Sequence, residues 1–322
     1  MQLQFSGGTV STNSTGAAGS IAEGSSSKYR IERKGKILTG ACVLFVVLLV
    51  VTLIFMVCSR GLATFTADGI SFGSFITGTT WNPHQTGDDG QPLMGALPMI
   101  AGSFAVTLLS CVLALPFALG AAIFVVEIQP GFGSKVFRPM IELLTGIPSV
   151  VFGLVGLSII VPWVRSWAGG TGYGIMAGSI VLAFMILPTV TSLSTDALAA
   201  VPEAYRDGSY GLGCTRWQTI LHVVIPSALP GILTAVIMGM ARAFGEALAV
   251  QMVVGNAAQM PQGLFTPAAT LTSVLTMGMG NEAMGTVYND VLWSLALVLL
   301  VMSLFFILIV HLIGRKGAAK ND

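Results

Sequence analysis

The chain has 322 residues, of which 54% are hydrophobic and 9% charged, against roughly 25% charged in an ordinary soluble domain. That balance identifies an integral membrane protein. A net charge of +1 without any basic stripe excludes a nucleic-acid partner.

Residues 1–36 are rich in Ser, Thr and Gly and then basic, at Lys28, Arg30, Arg33, Lys34 and Lys36. They read as a disordered cytoplasmic tail. Residues 37–58 are apolar over a full bilayer width, longer than the core of a cleaved secretory signal, and read as a retained signal anchor. It is the first of six predicted spans, followed by about 98–126, 139–164, 172–197, 229–256 and 289–313. The fold class is thus all-α, with one transmembrane domain over 37–313 and a short cytoplasmic tail over 314–322. Pro116, Pro148, Pro162 and Pro188 lie in or near the spans, where neighbouring helices can satisfy the backbone groups they free. The four cysteines match neither a zinc site nor a disulfide framework.

Orientation follows from the basic residues of the connecting segments. With both termini cytoplasmic, 12 of the 15 Lys and Arg lie inside, only Arg60 and Arg165 lie outside, and Arg242 stays in the membrane. The outer segments are then 59–97, a turn near 165–171, and 257–288. Within the last, TPAATLTSVLTM is too short and polar to span and reads as a surface or half-inserted helix.

The cytoplasmic loop 198–226 is long and mixed in polarity for a mere connection. Leu212, Trp217, Ile220 and Val224 recur at roughly helical spacing, opposite Arg206, Asp207, Arg216 and Gln218. Gly211 and Gly213 permit a sharp turn, and Pro226 opens the next span where its missing N–H costs little. Two short surface helices joined by a Gly-containing turn are expected, a shape suited to docking a soluble partner.

Arg242 and Glu246 stand four residues apart in the fifth predicted span, GILTAVIMGMARAFGEALAVQMVVG. A charge near the middle of a span costs about 2.5–3.5 kcal/mol on insertion scales. Either the two neutralise each other and fix helix packing, or they line a polar path. Two ribs of small residues accompany them, Gly239–Ala243–Ala247 and Ala241–Gly245–Ala249, which would let another helix of this chain or of a second subunit approach closely. Glu127 and Glu142 read as interfacial charges, His222 as an interfacial helix residue, and Trp163 and Trp167 as belt residues.

The loop resembles the cytoplasmic motif of ABC-importer permeases: Glu-Ala-Ala, three residues, Gly, nine residues, then Ile-x-Leu-Pro. Here that register gives Asp207-Gly208-Ser209, Gly213 and Val223-Val224-Ile225-Pro226, with Asp-Gly-Ser in place of the usual triplet. GIPSVVFGLVGLSIIVPWVR (146–165), 171–202, ARAFGEALAVQMVVGN (241–256), WNP (81–83) and LFTPAATLTS (264–273) are similar to phosphate importer permeases of the PstC type.

The resemblance implies a type I ABC importer permease fold in the plasma membrane of a bacterium or archaeon. It implies a second related permease (PstA type), an ABC ATPase dimer (PstB type) and an extracytoplasmic phosphate-binding protein (PstS type) as partners, besides membrane lipid. The chain has no G-x-x-x-x-G-K-[ST] phosphate loop, so it is read as a transport subunit rather than an enzyme. No cofactor is expected in it; ATP and Mg2+ would bind on the partner ATPase. The loop residues expected to receive that ATPase are Asp207, Gly208, Ser209, Gly213, Thr215, Arg216 and Pro226. Arg242 and Glu246 are expected on the substrate path, with no catalytic or metal-binding residue. Arginine donates two bonds to phosphate oxygens and stays protonated. Glu246 one turn on would hold it, temper its field, and accept a hydrogen bond from a protonated phosphate oxygen, disfavouring sulfate. The rival readings are a permease for another oxyanion, molybdate or sulfate; an ion-coupled carrier or channel acting alone; and a signalling or scaffold membrane protein.

Overall fold

The computed structural model describes residues 15–66, 69–86 and 92–318. The chain divides into two units, 1–56 and 57–322. Its elements in chain order are α1 (Thr15–Thr66), α2 (Phe72–Thr77), β1 (Trp81–Thr86), β2 (Pro92–Met94), α3 (Leu97–Ile123), α4 (Pro130–Phe132), α5 (Arg138–Thr145) and α6 (Ser149–Val155). There follow α7 (Val161–Ala168), α8 (Ile175–Ala199), α9 (Glu203–Gly211), α10 (Arg216–Thr219), α11 (Ile225–Phe244), α12 (Leu248–Val254), α13 (Leu271–Asn281) and α14 (Val287–Ala318). Among the described residues six helical stretches are long and apolar enough to cross a bilayer: Glu32–Thr66, Leu97–Ile128, Ser149–Ala168, Ile175–Ala199, Arg216–Phe244 and Val287–Ile309.

Three expectations change in detail. Residues 1–14 of the N-terminal tail and 319–322 of the C-terminal tail lie outside the described residues, but 15–36 is helical, the leading part of α1. Helix propagation from an existing apolar span is cheap compared with nucleation, and Lys36 pairs with Glu32 one turn away at 2.8 Å. The third span begins at Ser149 rather than 139, because Pro148 biases Ile147 out of the helical region and ends α5 at Thr145. The fifth runs from Arg216 to Phe244 rather than 229–256, so its second half is displaced into α12.

Four π-turns interrupt the helices, at Phe124–Ile128, Gly133–Phe137, Gly156–Ile160 and Ile220–Val224. In each, the closing N–H belongs to the residue just before a proline: Gln129, Arg138, Val161 and Ile225. The extra residue of a π-turn moves a carbonyl away from the proline ring, so Pro162 and Pro226 sit in continuous spans without a break.

The core of the second unit gathers on α8, whose Val181, Leu182, Ile186 and Val190 are almost fully buried. Ser179 of α8 donates to the carbonyl of Val106 on α3 at 3.1 Å. A second cluster joins Met99 of α3, Leu271 and Val274 of α13, and Leu292 and Leu295 of α14. The short helix expected in 257–288 as a surface or half-inserted element is α13, whose first turn is buried against α3 and α14 while Thr276, Met277, Gly280 and Asn281 are exposed. Its approach is close: a Cβ on Gly102 would stand 2.1 Å from the carbonyl oxygen of Ala269. Phe117, Phe184, Leu304 and Phe305 remain exposed on the spans, as lipid-facing side chains must.

Candidate functional site

Arg242 lies in the last turn of α11, which ends at Phe244 with Gly245 as its cap. Glu246 falls in the break between α11 and α12 rather than one turn along a continuous helix. The expected Arg242–Glu246 pair is thereby corrected. The described ion pairs are Lys36–Glu32, Arg138–Asp196 and Arg206–Glu127, and none joins the two residues.

Each has a different partner. Arg242 Nη1 donates to Thr189 Oγ1 of α8 at 2.8 Å, and its side chain is exposed on the surface of the chain. Gly239, one turn before it, is buried where a Cβ would stand 2.5 Å from Val190, so Gly239 and Ala243 pack on this chain's own α8, while Ala247, the third member of that rib, lies past the end of α11.

Glu246 turns the other way. Its Oε1 accepts the N–H of Ala249 at 3.3 Å and so caps the orphan donors of α12. Thr272 of α13 donates to the Glu246 carbonyl at 2.9 Å and fixes the break from outside. Glu246 shares one small cleft with the hydroxyl residues Ser103, Thr107, Thr270 and Thr272. Ser103 Oγ accepts the N–H of Leu271 at 2.9 Å, and Thr270 caps α13 reciprocally with Ser273. The result is an exposed cation on one side of the helix break and a half-buried carboxylate among hydroxyls on the other.

Residues 198–226 form the two helices expected, α9 and α10, with Gly213 at φ +82° in the turn between them. The second does not end at the membrane. It starts on a capping box between Thr215 and Gln218 and runs on through the π-turn into the fifth span. Ser209 and Thr219 hydroxyls bond at 2.9 Å and clip α9 to α10. Asp207 and Gly208 face solvent, and Pro226 lies in the first turn of α11. Tyr205, Tyr210, Leu212 and Trp217 are exposed around them, Leu212 to 87%.

Arg216 is exposed but donates through Nη2 to the carbonyls of Glu127 and Ile128. Glu127, read from sequence as an interfacial charge, is instead 6% exposed and paired with Arg206 at 2.7 Å. An acid closing one cytoplasmic span end and an arginine in a cytoplasmic loop was the signal available. Trp163 and Trp167 are exposed with ring centroids 6.0 Å apart, and His222 is bonded locally to the Gln218 carbonyl at 3.1 Å.

Residues 114–316 match the family described as binding-protein-dependent transport system inner membrane component. A probable ABC transporter permease protein, YqgH of Bacillus subtilis, is 48% identical over 286 residues, covering 88% of this chain and 91% of that protein. The phosphate transport system permease protein PstC of Mesorhizobium japonicum is 32% identical over 272 residues, covering 78% and 81%. Among solved structures, a bacterial alginate ABC transporter in complex with its pentasaccharide-bound periplasmic protein superposes with a TM-score of 0.59 at 15% identity, over 88% of this chain and 96% of that one. The inward-facing MetNI methionine ABC transporter gives 0.52 at 20% identity, over 67% and 93%.

Proposed function

The chain belongs to the binding-protein-dependent transport system inner membrane component family, the membrane subunits of ABC importers, and from that premise we propose that it is a permease subunit of an ATP-driven phosphate importer. The fold is that of type I importer permeases, and the subunit sits multi-pass in the plasma membrane. Its working assembly is that of an ABC importer: permease, ATPase and binding protein. We assign the second permease, the ATPase and the binding protein to the PstA, PstB and PstS types.

The observation that carries the phosphate reading is Arg242. An arginine exposed on an apolar span is too costly to face lipid, so it faces a polar path or a partner subunit. Thr189 holds one nitrogen of the fork and leaves the others free to donate to an anion. Phosphate, which carries charge at neutral pH and accepts several bonds, fits that donor set. The PstC proteins among the relatives support the same cargo. Glu246 acts beside the path by holding the break in the helix, so that α11 and α12 can tilt separately as the gate opens. Uptake of radiolabelled phosphate by cells with and without this chain tests the reading; undiminished uptake without it contradicts the assignment.

Asp207, Gly208, Ser209, Gly213, Thr215, Arg216 and Pro226 build the ATPase-docking element. The exposed members meet the partner, while buried Ser209 and the bonds made by Thr215 and Arg216 also hold the element's shape. Leu212 separates docking from folding. Because its side chain is almost wholly exposed, Leu212→Asp should change stability by no more than about 0.5 kcal/mol. Placed at the centre of an apolar contact, the same charge should weaken recovery of the ATPase with the permease by about tenfold or more. A thermal melt and a co-purification read the two effects apart; unchanged recovery tells against this surface.

A further inference from the structure

Glu127 is a buried carboxylate that the transport reading does not use. We propose that it is a positioning residue which locks the docking helix α9 to the cytoplasmic end of the second span, so that the two move as one body when the ATPase acts. The inference rests on the chain being an ATPase-driven permease and is independent of the cargo.

Chain connectivity explains why such a lock is needed. Three residues join α8 to α9, and the helix that starts at Arg216 runs unbroken into the fifth span. Both neighbours of the docking element therefore follow it through covalent bonds. The second span has no such link, since beyond Ile128 the chain leads into α4 and α5.

An apolar cluster of Ala122, Ile123, Val201, Ile220 and Val224 spans that gap, and two arginines of the docking element add the directional, charged contacts to it. Arg206 donates through Nε and Nη2 to Glu127 Oε1 at 3.0 and 2.7 Å. The same guanidinium donates to the carbonyls of Val201 at 2.6 Å and Leu198 at 3.0 Å, so α8, α9 and the second span meet on one side chain. Arg216 adds its bonds to the carbonyls of Glu127 and Ile128. The exposures of Arg206 and Glu127 are 16% and 6%, so water and salt screen the pair little. By contrast, Arg138–Asp196 lies at 3.6 Å with both side chains more than half exposed, where an ion pair contributes little.

The backbone is shaped for this contact. Ile123 and Glu127 are both buried at a helical step of four, so the inward face of α3 carries the carboxylate on to the end of the span. Separating the pair would leave a buried charge without its partner, which resists sliding of α9 along the span end.

The test uses the full importer in nanodiscs, in a background lacking the four native cysteines, with nitroxide labels on Phe132→Cys and Ala204→Cys, the latter on α9 outside the docking residues. Both positions are exposed, so the labels disturb no core contact. Distances are read by pulsed EPR without nucleotide and with ATP trapped on the ATPase. With Glu127 intact, one narrow distance is expected in both states. Glu127→Gln, which keeps the side-chain shape but not the charge, should let the distance shift by about 2 Å or more between states. Arg206→Lys, which loses the two-pronged contact, should shift it likewise and serves if Glu127→Gln does not assemble. A distance that already shifts with Glu127 intact, or variants as narrow as the parent, would overturn the proposal. Absence of ATP-driven phosphate uptake by the unsubstituted importer would count against the cargo alone, since the distances need no cargo.

Discussion

Arg242→Ala is expected to abolish most phosphate uptake while leaving the importer assembled and its melting temperature close to that of the parent. The side chain is exposed, and its described bond is to one threonine hydroxyl on α8, so little of the fold depends on it. A hydrogen bond to a charged group is worth about 1.5–3 kcal/mol, which corresponds to a roughly 10- to 150-fold loss of uptake for one such contact. Arg242→Lys keeps the charge but not the planar fork and should recover only part of the rate. Uptake into proteoliposomes, normalised to assembled importer, gives the comparison. Parental rates in both variants would mean that Arg242 serves only to fix helix packing.

The largest structural effect is expected from a single methyl group. Gly102 faces the segment that leads into α13, and a Cβ there would lie 2.1 Å from the Ala269 carbonyl oxygen, a backbone atom that cannot rotate away. Gly102→Ala must therefore push α3 and the outer segment apart. The bond from the Leu271 N–H to Ser103 Oγ lies in the same contact and would lengthen with it. Thr272, which holds the Glu246 carbonyl, is carried by the displaced helix. Overpacking of this kind costs about 1–3 kcal/mol, and a buried N–H left without a partner adds a similar amount. Gly120→Ala is the matched control on the same helix, because no atom lies within 4 Å of its Cβ position. Thermal melts in detergent should show Gly102→Ala well below the parent and Gly120→Ala at or slightly above it. Equal melts for the two variants would contradict the close approach described.

The spans were legible because a bilayer imposes a length, and apolar runs of that length have few alternatives. Their interruptions were harder to read. Gly239 and Gly245 are both glycines in one apolar run, yet only the second ends a helix. What distinguishes them is tertiary: Gly239 is covered by Val190, whereas the carbonyl beyond Gly245 is taken by Thr272 from a segment 26 residues away. Pro148 ends a helix, while Pro116 and Pro188 sit within theirs, so proline alone did not mark the break.

The same reasoning applies to the site. Arg242 stood out by its cost in an apolar span. Its partner was misassigned because the i,i+4 rule presumes an unbroken helix. Glu127 looked interfacial because it closes an apolar span, and the arginine that pairs with it stands 79 residues further along the chain. The two short helices of 198–226 and the turn at Gly213 were legible from the glycines and the proline at their spacing. The bonds of Arg216 to the carbonyls of Glu127 and Ile128 depend on the backbone of another span.

The central claim is that this subunit carries phosphate on energy from a separate ATPase. The most direct measurement is radiolabelled phosphate uptake into proteoliposomes containing the chain with its second permease and ATPase, supplied with loaded binding protein, with and without ATP. Excess sulfate or molybdate is added in parallel. Uptake that requires ATP and resists both competitors is the predicted result. Uptake suppressed by either anion, or sustained by the chain alone without ATPase and nucleotide, would contradict the account.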